Sequence, residues 1–294
     1  MRAALLSALL LTACAPTLSV NPTATPALNL SAPAPDVVIL SVSGRCGVPC
    51  AAPRDNWAYL GSRGTVDRVA REFMAAGLTV QAANYASSPL ASFVSTRTGT
   101  EQRGYPALLT DLDALRAAWP GAAAPRLVLL GHSQGVAWLH QLTRDRPEVP
   151  FAAQIDLDGI CLGWKSDFGP LIHSAEPFSP LSACDPMPVA GRRVNSKDVV
   201  WPNVARGIEV QSKRFPKRGA QNGYAVNYLF EVEGNVRLDG SARGLTRFIS
   251  AREDHSAITY PGSDALTWVA GQLRDLTRAW AAQDARAPDG AGSR

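Results

Sequence analysis

The stretch that decides the fold runs from residue 126 to residue 142 and reads RLVLLGHSQGVAWLHQL. Its first part, residues 127–130, is a short apolar run of the kind that forms a strand buried on both faces. Its last part places Val136, Leu139 and Leu142 at helical spacing. Between the two parts stands the pentapeptide GHSQG. The stretch therefore predicts a strand, a sharp turn and a helix.

The serine in this turn has the setting of a nucleophile. In a Gly-x-Ser-x-Gly turn between strand and helix, the serine hydroxyl stands clear at the carboxyl end of the sheet. Side chains at Gly131 and Gly135 would collide with the strand and the helix, so hydrogen is what fits there. The helix also points its positive end at charge that develops near the hydroxyl. Ser133 is the predicted nucleophile.

This motif resembles the nucleophile elbow of the α/β-hydrolase superfamily, in which some lipases and esterases carry the same GHSQG. The resemblance implies an α/β fold, with a mostly parallel central sheet, helices on both faces and a cap inserted after the strand that follows the elbow helix. The rest of the chain agrees, because apolar strand-like segments alternate with amphipathic helical ones.

Composition divides the 294 residues into segments. Residues 36–285 form the predicted catalytic domain. Within it, residues 162–222, rich in proline and aromatics, are predicted to form a cap that helps to make an acyl or aromatic pocket; the alternative is a surface excursion joined by Cys161 and Cys184. Residues 14–35 are rich in Pro, Thr, Ser and Ala, which favours an extended tether. Residues 286–294 lack an apolar pattern and are predicted to be disordered. The net charge of +4 is too small to indicate a nucleic-acid partner.

The first 13 residues have the positive start and short apolar run of an export signal. The sequence Leu-Thr-Ala-Cys that ends at Cys14 resembles the lipobox of bacterial lipoproteins. That resemblance implies cleavage before Cys14, acylation of this residue, and a protein anchored by lipid to a membrane of the bacterial cell envelope, outside the cytoplasm. The alternative is a plain secretory peptide with a soluble product.

Four further cysteines indicate two disulfides in an exported protein, with three possible connectivities. Local pairing, Cys46 with Cys50 and Cys161 with Cys184, is preferred. The Cys-x-x-x-Cys spacing is also open to a metal site, but no second ligand pair has zinc-like spacing. We therefore expect neither a metal nor a cofactor.

Ser133 needs a base, because a serine hydroxyl is a poor nucleophile at neutral pH. In the superfamily the order is serine, acid, histidine, with the histidine in a loop after the last strand. His255 fits this order and loop better than His132, His140 or His173 does. For the acid, Asp239 is preferred and Asp158 is the main alternative. Weaker alternatives are Glu231, Glu233 and Asp156, while Asp254 is discounted because it is adjacent to His255.

The resemblance also implies an oxyanion hole made by two backbone amides. One belongs to the residue after the nucleophile, Gln134. The other comes from the loop after the first body strand, where this chain has Ser-Gly instead of His-Gly and Arg45 is the candidate. The alternative for this loop is an ordinary tight turn.

The predicted function is hydrolysis of carboxylic esters, of a small molecule or a lipid, through a Ser-His-Asp triad and an acyl-enzyme. Thioester or amide cleavage or acyl transfer on the same triad remains open, because one fold hosts many chemistries. A tethered binding protein without catalysis is the alternative of a different class.

Overall fold

The computed structural model describes residues 18–19, 28–47, 50–174, 180–213 and 233–286. The predicted signal peptide at 1–13, the lipidation site at Cys14 and residues 287–294 of the predicted tail lie outside these ranges. Within them, no helix combines the length and the hydropathy needed to cross a membrane.

The described strands and helices alternate along most of the chain. The strands are β1 (Leu18–Ser19), β2 (Val37–Val42), β3 (Val80–Tyr85), β4 (Ser92–Val94), β5 (Glu101–Arg103), β6 (Arg126–His132), β7 (Ala153–Leu157), β8 (Pro186–Val189), β9 (Arg192–Asn195), β10 (Val199–Val200), β11 (Gly207–Ser212), β12 (Val236–Arg237) and β13 (Leu245–Ser250). The helices are α1 (Tyr59–Ser62), α2 (Thr65–Ala75), α3 (Tyr105–Ala118), α4 (Gln134–Asp145), α5 (Trp164–Ser174) and α6 (Asp264–Asp284).

In the described part, the central sheet has seven strands in the order β1-β3-β2-β6-β7-β11-β13, and every neighbouring pair is parallel. The carboxyl ends of the central strands lie at one edge, because Val42 is in register with Gly131 and His132 with Leu157. Loops that follow these strands therefore meet at that edge.

Helices cover both faces of this sheet, and alternate strand residues face each layer. Val38 and Leu40 of β2 belong to a core shared with α3, α4 and α5, whereas Val37 and Ile39 belong to one shared with α2 and α6. This arrangement confirms the predicted α/β fold with a mostly parallel sheet.

The end of the predicted tether lies against this body. Leu28, Leu30 and Ala34 pack on the core that includes α3, and the carbonyl oxygen of Ala32 accepts a hydrogen bond from the indole of Trp119 at 3.2 Å. In the described residues, packing thus begins before residue 36, because three apolar side chains occur among the prolines of this segment.

The segment predicted as a cap departs from that prediction in two ways. It contains β11, which lies inside the central sheet between β7 and β13. Its aromatic residues Trp164 and Phe168, expected to help form a pocket, are buried against Trp138 of α4, with ring centroids 4.6 and 5.2 Å away. Both belong to the core.

Candidate active site

The predicted elbow forms at the junction of β6 and α4. Ser133 stands between them with φ 59° and ψ −132°, a conformation that is rare for a residue with a side chain. The turn is closely packed: a Cβ at position 135 would lie 2.0 Å from the carbonyl oxygen of Val42, and one at 131 would lie 2.9 Å from Cα of Val136. Glycine at both positions lets α4 approach the sheet and holds Ser133 in the strained turn.

The predicted base has a buried carboxylate as its partner. The His255 ring donates from Nδ1 to Oδ2 of Asp158 at 2.6 Å, and Asp158 is fully buried. Ser212, at the end of β11, donates to the same carboxylate from its amide, at 2.8 Å, and from its hydroxyl. Burial would raise the pKa of Asp158, but the bonds from His255 and Ser212 outweigh it and hold that pKa below its ordinary value. Asp158 is therefore ionised at neutral pH.

The preference for Asp239 as the acid is wrong. Asp239 is exposed and accepts a hydrogen bond from the amide of Ser241 at 2.9 Å, not from His255. It follows β12, which pairs with β10 in a separate two-stranded sheet. Asp158, in contrast, directly follows β7, a strand of the central sheet. Of the other weighed acids, Asp156 bonds to His140 at 2.9 Å and Asp254 accepts from the amides of Ser256 and Ala257 at 3.1 and 2.9 Å; Glu231 lies outside the described ranges.

Ser133 is adjacent to the His255–Asp158 pair. Its amide donates to the carbonyl oxygen of Leu157, the residue before Asp158, at 3.0 Å, and the His255 ring packs on that of His132 with centroids 4.5 Å apart. The Ser133 hydroxyl makes no hydrogen bond to His255 in this structure; in free enzymes such bonds are often long and tighten when substrate binds.

Among the described residues, nothing competes for the two predicted oxyanion-hole amides. In the loop after β2, the amide of Gly44 donates to the Tyr59 hydroxyl and that of Cys46 to the Asn56 side chain, each at 2.9 Å. The Arg45 amide between them has no partner among the described residues. The Gln134 amide is the first of α4, and first-turn amides have no intrahelical acceptor. The loop also touches the nucleophile, since a Cβ at Gly44 would lie 2.8 Å from Ser133 Oγ.

The side chains of these two residues share one anchor, Asp167 of α5. Its Oδ2 accepts from Nε of Arg45 at 2.8 Å and from Nε2 of Gln134 at 3.2 Å. The Gln134 amide group also donates to the carbonyl oxygen of Leu162 at 2.7 Å. The loop after β2 and the start of α4 are thus tied to the same helix.

No protein-family model matches this chain, and the comparison with curated proteins found no match. Among solved structures, a hormone-sensitive lipase from a metagenome library has a TM-score of 0.43 at 12% identity, over 88% of this chain and 81% of that chain. An esterase from Pyrococcus furiosus has a TM-score of 0.43 at 11% identity, over 83% and 81%. An α/β serine hydrolase without a lid from Xanthomonas campestris has a TM-score of 0.39 at 16% identity, over 89% and 97%.

These similarities are low, and the parallel sheet with its βα elbow decides the architecture. The fold is that of the α/β-hydrolases. The sequence predicted this fold because the elbow is a local feature. Five consecutive residues and the segments on either side of them specify it.

Two disulfides lie close to the candidate active site. Cys46 pairs with Cys50 and Cys161 with Cys184, with Cα atoms 5.9 and 5.8 Å apart, which confirms the predicted local connectivity. The first closes the loop that carries Arg45, and the second joins the segment after β7 to the one after α5. Both pairs stabilise loops at the carboxyl edge of the sheet.

Sequence reasoning missed three residues that shape this site, Tyr59, Asn56 and Asp167. Each bonds to a residue outside its own segment: Asn56 to Ser87, 31 residues away, Tyr59 to His132, 73 away, and Asp167 to Arg45, 122 away. None of the three belongs to a sequence motif, so the sequence alone does not indicate these contacts. Only the packing of α1 and α5 beside the elbow brings them to the site.

Proposed function

We propose that this protein is a serine hydrolase that cleaves carboxylic esters through an acyl-enzyme. Ser133 is the nucleophile, His255 the general base and Asp158 the acid of the triad. The observation that carries the proposal is the hydrogen bond between His255 Nδ1 and the buried Asp158 carboxylate, beside a serine held in a strained elbow. Because Nδ1 donates to Asp158, Nε2 is the nitrogen left to accept a proton.

The chemistry follows from this arrangement. His255 Nε2 takes the hydroxyl proton as Ser133 Oγ attacks the ester carbonyl, and the amides of Gln134 and Arg45 stabilise the negative oxygen. His255 then returns the proton to the leaving alcohol. Water attacks the acyl-enzyme with His255 again as base, and the acid is released. The net reaction converts an ester and water into an acid and an alcohol.

A fluorophosphonate probe tests the assignment, because it phosphonylates only a serine that an adjacent base activates. We expect the purified full-length protein to be labelled and to hydrolyse short p-nitrophenyl esters. Ser133→Ala should lose both properties, whereas Ser92→Ala, on the exposed strand β4, should retain them. Labelling and turnover that survive in Ser133→Ala would contradict the proposal. A parallel panel of thioesters and amides tests the ester preference.

For localisation, we propose a lipid anchor on Cys14 that holds the enzyme outside the cytoplasm. The lipobox-like sequence before Cys14 supports it, and so do the two disulfides, which persist in oxidising compartments. Expression in a bacterium fed a labelled fatty acid tests it: the wild type should incorporate the label and Cys14→Ser should not. Equal incorporation, or none in either, would contradict the anchor.

A further inference from the structure

A chain of hydrogen bonds joins two loops beside Ser133, and its side chains have no part in the mechanism above. The amide of Gly44 donates to the Tyr59 hydroxyl oxygen at 2.9 Å. The Tyr59 hydroxyl is 2.5 Å from Nδ1 of His132, and Nε2 of His132 is 2.7 Å from the carbonyl oxygen of His255. We name these contacts the Tyr59–His132 bridge.

The protonation states give every bond of the bridge one donor and one acceptor. A carbonyl oxygen can only accept, so Nε2 of His132 carries the proton that binds His255. Burial lowers the pKa of His132 well below its ordinary value, helped by the nearby His255 and Arg63, so the ring is neutral and Nδ1 has a free lone pair. Burial raises the pKa of Tyr59 to about 12, so its hydroxyl keeps the proton that it donates to Nδ1.

The ends of the bridge lie on the two loops that the proposed reaction needs. One end is the residue before Arg45, in the loop after β2. The other is the backbone of His255 itself, in the loop after β13. The middle of the bridge, His132, is bonded covalently to Ser133. A single connected path thus links the oxyanion loop, the nucleophile and the base.

Ring packing restricts movement of the bridge. The Tyr59 and His132 rings meet edge to face with centroids 5.6 Å apart, and the His132 and His255 rings are 4.5 Å apart. The guanidinium of Arg63 lies 4.2 Å from the centroid of the Tyr59 ring. Tyr59 and His132 are almost completely buried, so water cannot easily replace a broken bond.

We propose that Tyr59 and His132 are positioning residues that hold the oxyanion loop and His255 in register with Ser133. The inference rests on the proposed function, since it assigns these residues a role in that reaction. The physical reason is that oxyanion donors and a general base must be held in place, because a misplacement of about 1 Å can cost about a hundredfold in rate. Neither residue touches the reacting atoms.

Tyr59→Phe tests the bridge with the least change in packing, because it removes one oxygen and keeps the ring. The amide of Gly44 and Nδ1 of His132 then lose their partner. We expect kcat for p-nitrophenyl butyrate to fall by about tenfold to a hundredfold, with KM changed by less than about twofold, because positioning contributes to the transition state more than to ground-state binding.

Two substitutions of His132 test its two hydrogen bonds separately, the one with Tyr59 and the one with the His255 carbonyl. The amide group of His132→Asn falls near Nδ1 and can still accept from Tyr59, whereas that of His132→Gln falls near Nε2 and can still donate to His255. We expect both to lower kcat. Because the bridge acts as one unit, Tyr59→Phe combined with His132→Gln should lose less activity than the product of the two single losses.

The matched control is Tyr105→Phe. Tyr105 is also buried, and its hydroxyl donates to Asp145 at the end of α4 at 3.0 Å, far along the helix from the elbow. We expect Tyr105→Phe to lower Tm as Tyr59→Phe does, with kcat within about twofold of the wild type.

Four outcomes decide between these possibilities. The inference is overturned if Tyr59→Phe keeps wild-type kcat while Ser133→Ala is inactive, or if Tyr105→Phe loses as much kcat as Tyr59→Phe. It is supported if only the bridge variants lose kcat and their losses are not multiplicative. Wild-type activity in Ser133→Ala would instead overturn the proposed function itself.

Discussion

At the scale of single residues, the strand that each aspartate follows decides which one can serve as the acid. Asp158 follows β7, the neighbour of the elbow strand, and its backbone is bonded to β11 through an amide–carbonyl contact with Val210 at 2.8 Å. Its carboxylate is therefore fixed within the carboxyl edge of the sheet. Asp239 follows a short strand of another sheet and faces solvent.

The two aspartates make a matched pair for mutagenesis. We expect Asp158→Asn to lower kcat by about a thousandfold to ten-thousandfold, because an amide cannot stabilise the imidazolium and favours the wrong tautomer of His255. Asp239→Asn should leave kcat unchanged. Ester hydrolysis by both purified variants is the measurement, and a large loss in Asp239→Asn with none in Asp158→Asn would contradict the assignment.

At the scale of elements, the elbow depends on how closely α4 approaches β2. Gly135 brings the first turn of the helix against the carbonyl oxygen of Val42, where a methyl group would lie 2.0 Å away. That oxygen belongs to a central strand and cannot move without displacing the sheet. The approach keeps Gln134, whose amide is a proposed oxyanion donor, beside the loop after β2.

Gly135→Ala should therefore lower the free energy of unfolding by about 1 to 3 kcal/mol or more, because overpacking forces the backbone to shift. Gly271→Ala is the control, since in helix α6 its Cβ would meet only the far end of the Arg274 side chain, at 3.8 Å. Alanine there should stabilise the helix by about 0.5 to 1 kcal/mol. Urea unfolding of both variants measures the difference; equal stability of the two would show that the elbow tolerates a side chain.

Strand β11 is the element that sequence periodicity missed. Its residues GIEVQS alternate apolar and polar, yet all of them are buried. Glu209 is tolerated there because it accepts from Arg247 at 2.7 Å and from the amide of Asn235 at 2.9 Å. A buried charge is uncommon in a central strand, and its partners come from distant parts of the chain, so the local pattern could not reveal this strand.

At the scale of the whole molecule, a second histidine–aspartate pair joins the main sheet to the small β10–β12 sheet. His140 of α4 is buried, with Nε2 2.9 Å from Asp156 and Nδ1 2.8 Å from the carbonyl oxygen of Val199. Asp156 also accepts from Asn235 at 2.7 Å and from Gln154. Both ring nitrogens of His140 face acceptors, which favours the doubly protonated ring.

This pair predicts a pH dependence of stability. Burial alone would lower the pKa of His140, but the Asp156 carboxylate, the Val199 carbonyl and the nearby Asp198 raise it above its ordinary value. Protonated His140 therefore stabilises the fold fully below the unfolded-state histidine pKa of about 6.5. This stabilisation is lost as pH rises through the higher pKa that His140 has in the folded protein. We expect Tm of the wild type, relative to His140→Gln, to decrease as pH rises above about 6.5.

The control for this prediction is His173→Gln, because His173 is exposed on α5. The Tm of His173→Gln should change with pH in the same way as the Tm of the wild type. The prediction fails if the difference between wild type and His140→Gln does not change with pH, or if it increases toward alkaline pH.

The sequence by itself determined the features that are local in the chain. It specified the strand, turn and helix of the elbow, the alternation that makes the sheet parallel, and Ser133 as the candidate nucleophile. The disulfides also paired as their spacing suggested. Each of these depends on residues close together in sequence, whose backbone preferences and apolar periodicity act before any distant contact forms.

The tertiary structure alone decided which side chains meet at the elbow. His255 and Asp158 are 97 residues apart, and the Tyr59–His132 bridge joins loops from opposite ends of the domain. The extra strand β11 and its buried glutamate were also visible only once the sheet was assembled. Such contacts depend on which strands become neighbours, and that order is set by packing of the whole core rather than by any one segment.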